Sequence, residues 1–151
     1  MGSLREDFAM KRRELLITAA AVVAASSTAV ADESPAEHHH DAGGSRLLDT
    51  ALECVKRGEL CEAHCFKLLG EGDKSLATCA RSVSAMRSVC GALAVLAAQQ
   101  PPLLPRFAGV AKDFCRACED ECRKHEDKHA VCKACAEACA SCGQECAKIA
   151  V

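Results

Sequence analysis

The sequence "CKACAEACASCGQEC", residues 132–146, decides the fold of this chain. Five cysteines fall in these fifteen residues, spaced three, four, three and four apart. The stretch has no Pro and a single Gly among four Ala, a composition that favours a helix over a loop. At about 100° per residue, the five side chains lie within an arc of about 80° on that helix. The stretch therefore predicts a helix with one face made of thiols.

The same spacing occurs in three earlier segments. Residues 46–69, 74–99 and about 104–125 carry apolar side chains and cysteines at intervals of three and four, the period of an amphipathic helix. The quoted stretch belongs to a fourth helix, from about 129 to 149. Gly70 suits the position after the first helix, and Asp73 suits the N-terminal cap of the second.

Short breaks separate these helices. Their sequences are "GEGD" at 70–73, "QQPPLLP" at 99–105 and "HEDKHA" at 125–130. Short connections place successive helices side by side in opposite directions. No segment shows the strict alternation of a strand. The predicted fold class is all-α, an antiparallel up-down-up-down four-helix bundle.

All thirteen cysteines fall on the apolar faces of the predicted helices, so the bundle should have a Cys-lined core. On the third helix the same face is predicted to hold Phe107, Val110 and Phe114. The cysteines are Cys54, Cys61, Cys65, Cys79, Cys90, Cys115, Cys118, Cys122, Cys132, Cys135, Cys139, Cys142 and Cys146.

Few roles explain thirteen cysteines in one core. Hydrophobic packing alone is a poor explanation, because Cys is small and would leave cavities. Disulfides within a helix are badly placed, since Cβ atoms at i and i+3 or i+4 lie about 5–6 Å apart and a disulfide needs about 3.8 Å. Pairs across the core stay open, although an odd number of thiols cannot all pair. Zinc knuckles and ferredoxin motifs place loops between their cysteines. Cu(I) fits best, because it favours thiolates and accepts few ligands, and charge neutrality suggests about one ion per thiolate.

The first 45 residues predict a different organisation. Residues 1–31 are interpreted as a signal peptide, with a twin-arginine pair at Arg12-Arg13 and a small-residue cleavage site at Ala29–Ala31. This predicts an exported, periplasmic protein, without a membrane anchor because the apolar run is short. Residues 32–45 are predicted to be a flexible leader, whose His38–His40 run either binds metal loosely or is simply solvated. Residues 46–151 are predicted to form the bundle. The net charge of the chain is −2, which gives no reason to expect a nucleic-acid partner.

Three stretches resemble the copper storage proteins, which are cysteine-rich four-helix bundles that hold many Cu(I) ions. They are "LLDTALECVKRGELCEAHC" (47–65), "SLATCARSVSAMRSVCGAL" (75–93) and "CRACEDECRKHEDKHAVCKACAEACASCGQEC" (115–146). The chain is similar to the exported branch of that family. The resemblance implies multiple Cu(I) ions, a homotetramer, and a copper donor or acceptor protein. It also implies supply of copper to exported cuproenzymes such as a methane monooxygenase.

Candidate ligands other than cysteine gather at one end. In an up-down bundle the turns at 70–74 and 124–130 lie together, which brings His64, His125 and His129 to what we call the histidine end. These imidazoles are predicted to be either copper ligands at the entrance or solvated side chains. Met86 shares the face of Cys79 and Cys90, where its thioether could reach copper or simply pack. Pro101–Pro105 are expected to close the other end.

Two classes of function remain open from the sequence. The first is storage or buffering of Cu(I). The second is a metallothionein-like protein that buffers zinc or cadmium, or a thiol-redox buffer. The chain shows no Ser/His/Asp constellation and no phosphate-binding loop, so an enzyme is not expected.

Overall fold

The computed structural model describes residues 42–151, and these form the predicted antiparallel four-helix bundle. Helix α1 packs against α2 and α4, and α3 packs against the same two helices, so the four enclose one core. The all-α prediction is confirmed, with a cysteine-rich interior. The helices are α1 (Ala42–Gly70), α2 (Ala77–Gln99), α3 (Leu104–Arg123) and α4 (Ala130–Ile149). The predicted signal peptide and the His38–His40 run lie outside the described residues.

The first connection is built much as its residues suggest. Helix α1 begins at Ala42, so it includes the last residues of the predicted leader. Its end differs in one detail: Gly70 is the last helical residue, and Gly72 adopts the left-handed conformation with φ of 95°. Asp73 then caps a short 3₁₀ turn, Lys74–Leu76, by accepting a hydrogen bond from the Ser75 backbone N–H at 2.9 Å.

The second connection closes the end of the bundle opposite to the histidines. Helix α2 stops at Gln100, whose left-handed φ of 51° turns the chain before Pro101. Leu104 starts α3, and it is buried together with Leu47 and Leu93. This end of the core is therefore apolar.

The third helix differs from the prediction in its register. Val110 and Phe114 were expected in the core but are 49% and 39% exposed, while Phe107 is half-buried. The inward face instead carries Ala108 and Ala111, two turns and one turn before Cys115 respectively. The prediction for Val110 and Phe114 is wrong because it followed side-chain size, whereas the three cysteines of α3 set the phase of the helix.

Helix α2 is the most apolar of the four helices. Among the described residues one stretch, Lys74–Gln99, is long and apolar enough to cross a membrane. Its inward face lies in the core, where Val83, Met86 and Leu93 are fully buried against the other helices.

Candidate metal centre

Every cysteine of the chain lies in the core. All thirteen side chains are 0% exposed, and all thirteen are free thiols. On α4 they run from Cys132 to Cys146, which is about 21 Å at 1.5 Å per residue. The helical spacing thus produces a column of sulfur atoms through the bundle, from the histidine end towards the apolar end.

The thiols meet in pairs that join different helices. Four pairs have Sγ–Sγ distances of 3.5–3.7 Å, which is contact distance and well beyond the roughly 2.05 Å of a disulfide bond. Each pair can therefore coordinate one metal ion through two sulfur atoms from different helices. The pairs are Cys54–Cys139, Cys61–Cys132, Cys79–Cys122 and Cys90–Cys115.

Larger groups of thiols form along the column. In each group all sulfur atoms lie within 4.8 Å of one another, close enough to share one metal ion. The groups are Cys54/Cys90/Cys115/Cys142, Cys61/Cys79/Cys132, Cys61/Cys122/Cys135 and Cys118/Cys135/Cys139.

Two thiols link the three-membered groups to one another. Cys61 and Cys135 each belong to two of the three-membered groups, so their sulfur atoms can bridge neighbouring ions. Cys65 and Cys146 belong to none of the groups, and they lie towards the two ends of the column. A connected set of bridging thiolates suits several soft ions better than one isolated ion.

The electrostatics of the column suit metal binding. Burial raises the pKa of the Cys65 thiol to about 12, and the adjacent Cys79 adds to the effect. Conversely, hydrogen bonds from neighbouring thiols hold the pKa of Cys79, Cys135 and Cys142 below that of an ordinary thiol. Buried thiolates need a compensating cation, and a monovalent soft ion on each thiolate supplies it.

The structure brings two of the three predicted histidines together. His64 Nε2 and His129 Nδ1 are 3.0 Å apart, and both side chains are half-buried. His64 is three residues after Cys61, and His129 is three residues before Cys132, so the imidazoles lie about one turn from the first thiols. His125 lies in the adjacent turn, where its carbonyl accepts the His129 backbone N–H at 3.0 Å. Within the described residues its ring makes no hydrogen bond to the other two.

Met86 lies inside the column. Its side chain is 0% exposed, and its Sδ atom is 3.3 Å from Cys54 Sγ. The thioether is therefore placed where it can either pack or contribute a soft ligand. Both interpretations from the sequence remain compatible with this position.

Sequence reasoning missed a polar contact beside the column. Arg87 on α2 forms ion pairs with Glu59 and Glu62 on α1, and Glu62 is one of two buried carboxylates among the described residues. Gly58 lies beside this contact, where a Cβ atom would be 2.5 Å from Arg87 Cγ. The sequence alone could have indicated this contact. Gly58 falls on the same helix face as Cys54 and Cys61, and a glycine on a buried face indicates close approach of a second helix.

A four-helix bundle whose core is lined by free thiols can bind soft metal ions, and the comparisons with known proteins agree. The sequence profile of the family described as copper storage protein matches residues 39–151. The chain belongs to the copper storage protein family. A search of curated proteins gave no match.

Solved structures show the same fold. Apo copper storage protein 3 from Bacillus subtilis is 25% identical, with a TM-score of 0.63 over 72% of this chain and 99% of that chain. The Streptomyces lividans protein Ccsp, loaded with 10 copper equivalents, is 28% identical, with a TM-score of 0.66 over 78% of this chain and 92% of that chain. Together with family membership, these confirm the prediction of Cu(I) as the ion, in several copies.

The comparison also corrects the predicted location. A further Streptomyces lividans structure is 28% identical, with a TM-score of 0.65 over 71% of this chain and 91% of that chain, and it is named a cytosolic copper storage protein. The prediction of an exported, periplasmic protein is therefore contradicted. It rested on residues 1–31, which precede both the described bundle and the family match. The assignment to the exported branch loses its basis in the same way.

Proposed function

We propose that this chain stores Cu(I) along the thiol column and exchanges it at the histidine end. The observation that supports the proposal is that thirteen free, fully buried thiols line one core, where three of their groups are linked through Cys61 and Cys135. Sharing of thiolates between ions gives about one Cu⁺ per thiolate and a nearly neutral loaded core. All thirteen cysteines are proposed as ligands, with Met86 as an additional soft ligand. The role is storage and not catalysis.

Anaerobic titration of the reduced protein with Cu(I) tests this proposal. Because the thiols set the capacity, we expect ten or more ions per chain, counted by metal analysis after gel filtration. Saturation at one or two ions would contradict storage and would indicate a structural or shuttle site. A Val83→Leu variant, altered in the core but not in its thiols, should retain the full capacity.

Copper is proposed to enter and leave past His64 and His129, with His125 in the adjacent turn. Imidazole is a harder ligand than thiolate, so an ion captured at this end moves on to the softer ligands below. The same end is where an acceptor protein would collect copper for a copper-dependent enzyme. Transfer to a candidate acceptor should slow when His64 and His129 are replaced, while the capacity of the column is kept.

A homotetramer of bundles is proposed as the working assembly. The outer face of α3 supports it, because Leu103, Val110 and Phe114 are exposed in one chain at the spacing of a helical stripe. Light scattering should give four times the mass of one chain. Val110→Asp should lower that mass if α3 lies in the interface, whereas Lys112→Gln, which also changes the charge by −1, is the control. A monomer for the unmodified protein would refute the assembly.

A further inference from the structure

One group of thiols differs from the others in the column. Cys54, Cys90, Cys115 and Cys142, which we call the deep tetrad, come one from each of the four helices. Their four sulfur atoms all lie within 4.8 Å of one another. The other three groups have three members each, and none of them shares a thiol with the deep tetrad.

We propose that in the copper-free chain the deep tetrad is a site for a single thiophilic divalent cation of the zinc type, which Cu(I) replaces when the column is loaded. Zinc in structural sites binds four thiolates tetrahedrally at about 2.3 Å, which gives sulfur–sulfur edges of about 3.8 Å. Cys90 and Cys115 are already 3.5 Å apart. The longest edge has to shorten by about 1 Å at most, from 4.8 Å to the tetrahedral value. Small side-chain rotations supply such a change, without loops between the ligands.

The remaining groups cannot offer an equivalent site. Each has three thiols within that separation, so a fourth ligand would have to come from a thiol outside the group, such as Cys65 beside Cys61, Cys79 and Cys132. Cys61 and Cys135 are each shared between two groups, so neighbouring divalent ions would compete for one sulfur atom. The expected number of tightly held divalent ions is therefore one per chain.

Neighbouring thiols can partly offset the charge of an occupied tetrad. Binding of a divalent ion releases four thiol protons and leaves a tetrathiolate of net charge −2. In the metal-free chain the Cys54 thiol donates to Cys139 Sγ at 3.6 Å, and once Cys54 is a thiolate the Cys139 S–H can rotate to donate to it instead. Cys146 lies one turn after Cys142 on α4 and can do the same for its sulfur atom. Thiols outside the tetrad thus act as neutral donors to it.

Zn²⁺ titration of the reduced, metal-free full chain tests the inference. In anaerobic competition with a chromophoric chelator, we expect one Zn²⁺ retained per chain. Co²⁺ used as a probe should give the intense visible bands of a tetrahedral tetrathiolate. Cys115→Ser and Cys142→Ser should each weaken Zn²⁺ binding at least about tenfold. Ala111→Ser is the matched control, since it adds a buried hydroxyl to α3 one turn away without removing a thiol.

Clear outcomes would overturn the inference. These are no retained Zn²⁺, several equivalent ions per chain, an octahedral Co²⁺ spectrum, or serine variants that bind like the unmodified chain. The Co²⁺ spectrum of the unmodified chain decides the matter even if both serine variants fail to fold, which circular dichroism would show. Cu(I) counts on separate metal-free portions of the same preparation keep the two ideas apart. Ten or more Cu(I) without any Zn²⁺ overturns the zinc site alone, and one Zn²⁺ with few Cu(I) overturns storage alone.

Discussion

Replacing Gly58 by Ala should destabilise the apo protein, although the same change usually stabilises a helix. Gly58 lies on the buried face of α1 between Cys54 and Cys61. A Cβ atom there would be 2.5 Å from Arg87 Cγ and 2.9 Å from its Cδ, both too close to coexist. Arg87 must therefore move, and with it the ion pairs to Glu59 and Glu62.

The magnitude follows from the burial of those charges. Breaking a fully buried ion pair costs about 3–5 kcal/mol. The Arg87 side chain is 22% exposed and that of Glu62 is 10% exposed, so water compensates part of the loss. A cost of about 3 kcal/mol is then reasonable, and the better helix propensity of Ala offsets about 1 kcal/mol of it. The expected net destabilisation is about 2 kcal/mol, or a fall in Tm of about 8 °C.

The assay is urea or thermal unfolding of the reduced, metal-free protein, followed by circular dichroism with reductant present. Gly91→Ala is the matched control, because Gly91 lies within α2 and a Cβ there would meet no atom within 4 Å. That variant should be more stable than the unmodified protein by about 0.5–1 kcal/mol. If Gly58→Ala were as stable as Gly91→Ala, the close approach of Arg87 to α1 would be refuted.

Three further predictions concern the column and its entrance. The double variant His64→Ala/His129→Ala should bind within about one Cu(I) ion of the number that the unmodified chain binds, since the thiolates that set the capacity are untouched. The rate at which a strong chelator removes copper should change. A loss of several ions with an unchanged rate of removal would place the entrance elsewhere. The reduced metal-free chain should already be helical by circular dichroism, unlike a zinc finger, which folds only with metal; a coil that gains helix on adding Cu(I) would contradict this. The contribution of Cys65 to the stability of the metal-free chain should be constant below about pH 8.5 and fall above it, because its pKa is raised to about 12 in the folded state and unfolded chains deprotonate near 8.5. By pH 10 this thiol alone should cost about 2 kcal/mol, measurable as a lower urea midpoint, and Cys65→Ala should reduce the slope.

Much of the fold was predictable because one signal repeats. Cysteine and apolar side chains recur with the helical period. The buried faces of the four helices and the three connections between them could therefore be found without knowing any contact. The cap at Asp73 was equally local, since it depends on its own side chain and the backbone of Ser75.

Other features depend on contacts between helices, which no local pattern contains. Val110 and Phe114 looked like core residues by size, yet Ala108 and Ala111 fill the space beside α2 and α4 because the cysteines of α3 fix its rotation. The contact of Arg87 with α1 similarly joins residues 25 and 28 positions apart. The meeting of His64 and His129 was predicted from topology alone, whereas the 3.0 Å separation of their rings needed the structure.

The pairing of thiols between helices gives the cargo a second effect, on the lifetime of the protein. Cys54 and Cys139 are 85 positions apart in sequence, and an ion held between them closes that length of chain as a disulfide would. Closing a loop of this length stabilises a fold by about 4.5 kcal/mol in the chain-entropy view. Several such closures make a filled bundle much slower to open than an empty one. A protease that attacks unfolded chains should therefore degrade the metal-free protein faster than the copper-loaded protein. The cellular amount of this protein would then rise with the amount of copper bound to it, without any change in its synthesis.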